Sequence, residues 1–233
     1  MIEFSRCQKI LTFFAHPDDE TLAAGATLSK LSRMGVAIHV AIPATGVYGR
    51  KNRLDPTAME SELVRLKSDC EQALGILGVL PENIHLGEFS DNQMDSHPRL
   101  EVIHWLETLL DAIKPDLVFT HHRYCTNIDH QICHEAAVVA TRPQAECHVP
   151  VLCGEVPSST GYLKPTQWEP NFFVEVTPDD VTAKIKAMET YSGEARPDPH
   201  PRSPEVLAAL AKVRGSESGF HFAESFMIQK SFG

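Results

Sequence analysis

Short, strongly apolar runs alternate with helix-length amphipathic stretches through the first two thirds of the chain, and this alternation limits the fold more than any other feature. "LTFF" (11–14) precedes a helical stretch from about Thr21 to Met34, stopped by Gly35. "VAIHVAI" (36–42) precedes an amphipathic stretch from about Thr57 to Leu77, closed by Gly78. "NIHLGEF" (83–89), "PDLVFTHH" (115–122) and "PVLCGEV" (150–156) read as three further strands, separated by helices at 99–113 and 130–142. Strands of this length between helices of this length make βαβ units, and hence a parallel sheet covered on both faces.

The expected fold is therefore α/β: a Rossmann-like, doubly wound, mostly parallel sheet with helices on both faces. After Val156 the pattern changes to a loop, a strand at 172–176, a helix at 179–191, a Pro-rich loop at 192–203, a helix at 204–213 and a mixed segment at 220–228. The reading is one domain over 1–233, with a core at about 8–156 and a C-terminal α+β addition at about 157–233 lining the active site. A chain of 233 residues suits one substantial core.

With 21 basic and 31 acidic residues, the net charge of −10 argues against nucleic acid or an anionic membrane as partner. No run is long enough to span a bilayer, and "MIEFSRCQKI" lacks the apolar core of a signal peptide, so the cytoplasm is the expected address. The six cysteines contain no Cys-x-x-Cys pair and read as reduced, packed thiols. The His/Cys cluster at 121–134 lacks the paired short spacings of a structural zinc knot.

Two polar clusters follow strands: "AHPDDE" (15–20) after the first, and "HHRYCTNIDH" (121–130) after the fourth. Ligands of open α/β sheets bind beyond the carboxyl ends of the strands, where strand order reverses, so these clusters can meet across one crevice. His16 and Asp19 are three apart, and a single helical turn puts both on one side. Pro17 suits the start of that turn, and Asp18 points elsewhere, free to act as a base. One more imidazole, for which His130 is chosen, completes three ligands with one open position, the arrangement of catalytic zinc. The competing role for Asp18 and Asp19 is helix capping. The first strand is not followed by Gly-x-Gly-x-x-Gly, which speaks against a dinucleotide enzyme.

"AHPDDE", "PDLVFTHH" running to "TNIDHQ", and, between and after them, "ALGILG" (73–78), "DN" (91–92), "RP" (142–143), "HPRS" (200–203) and "FAESF" (222–226) resemble the PIG-L-like (LmbE-like) de-N-acetylases over nearly the whole chain. The resemblance implies a Rossmann-like, zinc-dependent amidohydrolase that removes the acetyl group from an N-acetylated amino sugar or its nucleotide-, lipid- or small-molecule conjugate. It implies one Zn2+ per chain, or another divalent transition metal, held by His16, Asp19 and His130, with Asp18 as general base. Many relatives carry His at Asn127 and others Asp at Cys125. Asn127 can donate an N–H to an oxyanion but cannot supply a proton. Asp129 is expected to orient Asn127 or its loop, or to cap a helix beginning at His130. Arg50, Arg202 and His221 are candidates to meet the sugar or an attached phosphate, and Glu20 is read as starting a helix. The expected partner is the N-acetyl amino-sugar substrate, with a homo-oligomer left open. A zinc hydrolase of another small amide and a non-catalytic sugar-binding relative are the alternatives.

Overall fold

The computed structural model describes residues 2–45, 56–143, 148–164 and 167–232, without the side chains of 56–59. Arg50 lies outside the described residues. Seven strands form one sheet: β1 (Lys9–Phe13), β2 (Ala37–Ala44), β3 (Ile84–Phe89), β4 (Leu117–His121), β5 (Val151–Gly154), β6 (Phe172–Glu175) and β7 (Ala223–Lys230). Six α-helices accompany them among the described residues: α1 (Asp19–Arg33), α2 (Pro56–Ile76), α3 (Arg99–Ile113), α4 (Ile128–Ala140), α5 (Pro178–Thr190) and α6 (Pro204–Ser218).

The sheet order is β3-β2-β1-β4-β5-β7-β6. The first five strands pair in parallel, while β7 runs antiparallel to both β5 and β6. The strand order reverses between β1 and β4, so their carboxyl ends border the switch point. The segment after residue 156 does more than pack against the sheet, because its two strands extend the sheet beyond β5.

Alternation along β1 separates two cores. Ile10 and Phe14 join the cluster beneath α1, α2, α5 and α6, whereas Leu11 and Phe13 join the one beneath α3 and α4. Strands buried on both faces in this way carry the near-continuous apolar runs read from the sequence. Helix α1 is buried over most of its length, since the sheet covers one side and α5 packs on the other. Its sequence shows why this is possible: Gly25 lets the Lys184 side chain of α5 approach so closely that an added Cβ would lie 2.9 Å from Lys184 Cγ.

Two element ends differ from expectation. Helix α6 continues to Ser218 and stops at Gly219, whose left-handed backbone (φ 79°) accepts the turn. Helix α4 begins at Ile128, two residues before His130, and Asn127 is its cap. No helix among the described residues is long and apolar enough to cross a membrane.

Candidate active site

Strand β1 delivers Ala15 and His16 to the switch point, and α1 starts at Asp19. Strand β4 delivers His121, and α4 sets His130 one turn inside its start. Oδ2 of Asp19 lies 3.2 Å from His16 Nδ1 and 3.1 Å from His130 Nε2. The two clusters therefore meet, with their hydrogen-bonding atoms converging on one carboxylate oxygen.

The outward nitrogens of both rings are occupied. His16 Nε2 lies 2.9 Å from Asp129 Oδ2 and 3.2 Å from Asp91 Oδ1. His130 Nδ1 lies 3.3 Å from Ser159 Oγ. If these nitrogens carry the hydrogens, His16 Nδ1 and His130 Nε2 present lone pairs to Asp19 Oδ2. Three acceptors then converge, which is stable only around a positive charge, either protons or a cation. Burial works against a charged His16 ring, yet Asp129 and Asp19 outweigh it and push the His16 pKa up to about 10. Burial likewise opposes the charged form of Asp19, but His130 and the bond from His16 hold its carboxyl well below the usual range. A metal ion taking the place of the held proton would release it.

Among the described residues, three triads bring a ligand atom from each member within 4.8 Å of the others: His16/Asp19/His130, His121/Cys125/His130 and His16/Asp91/Asp129. Their chemistry separates them. His121 Nε2 accepts the Ala15 N–H at 2.8 Å, so the neutral ring carries its hydrogen on Nδ1, which is buried and without a partner among the described residues. Neither nitrogen is then free to ligate. Burial also pushes the Cys125 thiol up to about 11, and its sulfur lies 3.1 Å from Thr160 Oγ1. In the third triad, Asp129 already accepts the backbone N–H groups of Asn92 (2.6 Å) and Met94 (3.1 Å). The first triad alone offers three acceptors and an outer partner for each imidazole, and its donor set fits a divalent transition metal.

Asp18 occupies the N-cap position of α1, but its side chain makes no capping bond. Its Oδ2 instead meets Arg202 Nη1 at 2.8 Å. Burial pushes its carboxyl well above the usual range, with Arg202 opposing that and the nearby Asp19 adding to it. Arg202, a candidate for contacting sugar or phosphate, is thus engaged with Asp18, and its guanidinium also bonds Glu194 and Ser158.

The remaining expectations are placed as follows. Asn127 caps α4: its Oδ1 accepts the Asp129 N–H at 2.8 Å, and its Nδ2 donates to Asn92 Oδ1 at 2.9 Å. Asp129 neither caps a helix nor holds Asn127 through its carboxylate. It is fully buried and grips His16 and the loop after β3 instead. Glu20 does begin α1, yet it is completely buried and bonded to Tyr191 and Thr21. His221 is exposed in the turn before β7 and makes no hydrogen bond among the described residues. Sequence reasoning missed Ser159, Glu194 and Tyr191, which come from the irregular C-terminal third. Asp91 and Asn92, just after β3 at the ligand edge, are the "DN" of the family resemblance, which gave them no role.

One protein-family model, PIG-L, described as GlcNAc-PI de-N-acetylase, matches residues 11–141. YaiS of Escherichia coli K12, an uncharacterized deacetylase, is 28% identical over 193 residues, covering 78% of this chain and 89% of that protein. The diacetylchitobiose deacetylase of Thermococcus kodakarensis is 24% identical over 232 residues, covering 95% and 83%. The solved structure of N,N'-diacetylchitobiose deacetylase from Pyrococcus horikoshii superposes with a TM-score of 0.78 at 22% identity, covering 97% of this chain and 85% of that one. Because the family match spans more than half of the sequence and both strand-end clusters, the chain belongs to the PIG-L family.

Proposed function

We propose that this protein is a zinc-dependent amidohydrolase that removes the acetyl group from an N-acetylated amino sugar or its nucleotide-, lipid- or small-molecule conjugate. The observation that carries the reading is the convergence of His16, Asp19 and His130 beside a buried Asp18 that is not spent on its own helix. The names of both sequence relatives support deacetylation, and the family description and the Thermococcus relative's name support a sugar as its substrate.

His16, Asp19 and His130 would hold the metal, and Asp129 and Ser159 fix the two rings by their outer nitrogens. A zinc ion bound there supplies Lewis acidity, which acidifies water and polarises the acetyl carbonyl. Asp18 removes the proton from the attacking water and returns it to the departing amine, since Asn127 has no proton to give. One Nδ2 hydrogen of Asn127 is used on Asn92, leaving the other for the oxyanion. Arg50 remains a candidate for the sugar or an attached phosphate.

Acetate release from a panel of N-acetyl amino sugars and their conjugates, by metal-loaded protein, tests the proposal. Chelator-sensitive release from at least one of them is expected. A protein that binds the metal but releases acetate from none would be a binding relative or a hydrolase of another amide.

A further inference from the structure

Asp18 has φ 112° and ψ −29°, a left-handed backbone, and its carboxylate is turned away from the helix it begins. An Asp at a helix start ordinarily has extended backbone and folds its carboxylate onto the free N–H groups of the first turn. A non-glycine residue keeps a positive φ only where its surroundings over-determine it. Here two sets of contacts do so, and each starts from one end of the segment 191–203.

At the far end, Arg202 Nη1 meets Asp18 Oδ2 at 2.8 Å, and the same nitrogen bonds the Glu194 carboxylate. Its Nε donates to Ser158 Oγ at 3.3 Å, so the guanidinium is fixed on three sides. At the near end, the fully buried Tyr191 donates its hydroxyl to Glu20 Oε1 at 3.0 Å, where Thr21 Oγ1 also donates at 2.7 Å. The other oxygen of that carboxylate accepts the Asp18 backbone N–H at 3.2 Å. The side chain is therefore held from one end of the segment and the peptide from the other.

We propose that Arg202 and the Tyr191–Glu20 pair act together as positioning residues, a clasp that keeps Asp18 out of the capping conformation and available to the reaction. The physical ground is competition for one carboxylate. Without Arg202, the first-turn N–H groups of α1, whose partial positive charge favours an anion, compete for the Asp18 carboxylate. A base folded onto its own helix is misplaced, and small misplacements cost large factors in rate. The clasp gives the irregular loop after α5 a role in catalysis through its hold on Asp18. This inference rests on Asp18 being the base, so its test includes a readout that does not depend on turnover.

The test combines crystal structures of Arg202→Ala and Tyr191→Phe with kinetics and metal content for both, and for Arg202→Lys. In Arg202→Ala, Asp18 is expected to take extended backbone with its carboxylate on the first turn of α1. Its kcat should fall on the order of 10²-fold, as expected for a misplaced group, with KM and metal content unchanged. Arg202→Lys should recover part of that loss, because the positive charge returns. Tyr191→Phe removes one oxygen from a well-packed site, and it decides the matter if Arg202→Ala does not fold. It should lower kcat with KM unchanged and let the Asp18 φ move. An Asp18 that keeps its positive φ in the variants would overturn the clasp, as would an Asp18 that relaxes at unchanged kcat. If the wild type releases no acetate from any sugar, the functional reading falls, and the Asp18 backbone alone then decides whether the clasp exists.

Discussion

Oδ2 of Asp129 lies 2.9 Å from Nε2 of His16, joining α4 to the loop after β1 across 113 residues of sequence. The contact leaves the opposite nitrogen of His16 facing Asp19 and His130. On the proposed reading it makes Asp129 the carboxylate that orients a metal ligand, in place of the role toward Asn127 or as a cap expected from its position.

Asp129→Asn should therefore lower metal affinity by about 10–100-fold, the usual effect of losing an outer partner of a ligating histidine. Competition against a chromophoric chelator measures it. Unchanged affinity would mean that the His16 ring is held by its packing alone.

Asn127 caps α4, and substitutions can separate that role from the proposed one toward the oxyanion. Asn127→Ala should cost about 0.5–2 kcal/mol of stability through loss of the α4 cap. Asn127→Ser keeps a good cap but loses the amide donor, so it should fold normally and lose about 10²–10³ in kcat if that N–H meets the oxyanion. Denaturant midpoints and single-turnover rates on the same samples separate the two effects. Full turnover in Asn127→Ser would reduce Asn127 to a cap.

Asp180 ties α5 to α1 and gives a pH-dependent term away from the site. It accepts hydrogen bonds from Ser29 Oγ, Arg33 and the Thr177 hydroxyl and N–H, closing a capping box. Burial raises its pKa, but the Arg33 and Thr177 bonds outweigh that and leave it below the usual value. A depressed folded-state pKa stabilises the fold above the unfolded value, about 3.9, and that stability is lost as pH falls through the folded value. Asp180→Asn should cost about 1.5–3 kcal/mol at neutral pH, as for hydrogen bonds to a charged group. The gap from wild type should narrow as the solution is acidified below about pH 4, where the wild-type carboxylate is itself protonated. Urea titrations across the acidic range would show this, and a gap constant with pH would contradict it.

The centre of the parallel half was legible because β1, β4 and β5 are buried on both faces and written as apolar runs. "LTFF" and "LVFTH" announce themselves. The place where β1 and β4 diverge followed from the usual strand order, and so did the meeting of His16, Asp19 and His130. The antiparallel edge was not legible. Strands β6 and β7 are short or half-exposed, and the pairing of β7 with β5 and of β6 with β7 depends on long-range contacts that carry no local signal. For the same reason the support around Asp18 was hidden. Arg202 and Tyr191 sit in a Pro-rich loop and at a helix end, and only the folded chain shows that they converge on one residue.

Zinc content and acetate release, measured on the same preparations of wild type, Asp18→Asn and His130→Ala, test the central claim most directly. The account predicts that Asp18→Asn keeps its zinc and loses about 10²–10⁴-fold in acetate release, the usual contribution of a general base. His130→Ala should lose both. Equal loss of zinc in the two variants would make Asp18 a ligand and contradict the assignment, as would wild-type rates of acetate release from zinc-loaded Asp18→Asn.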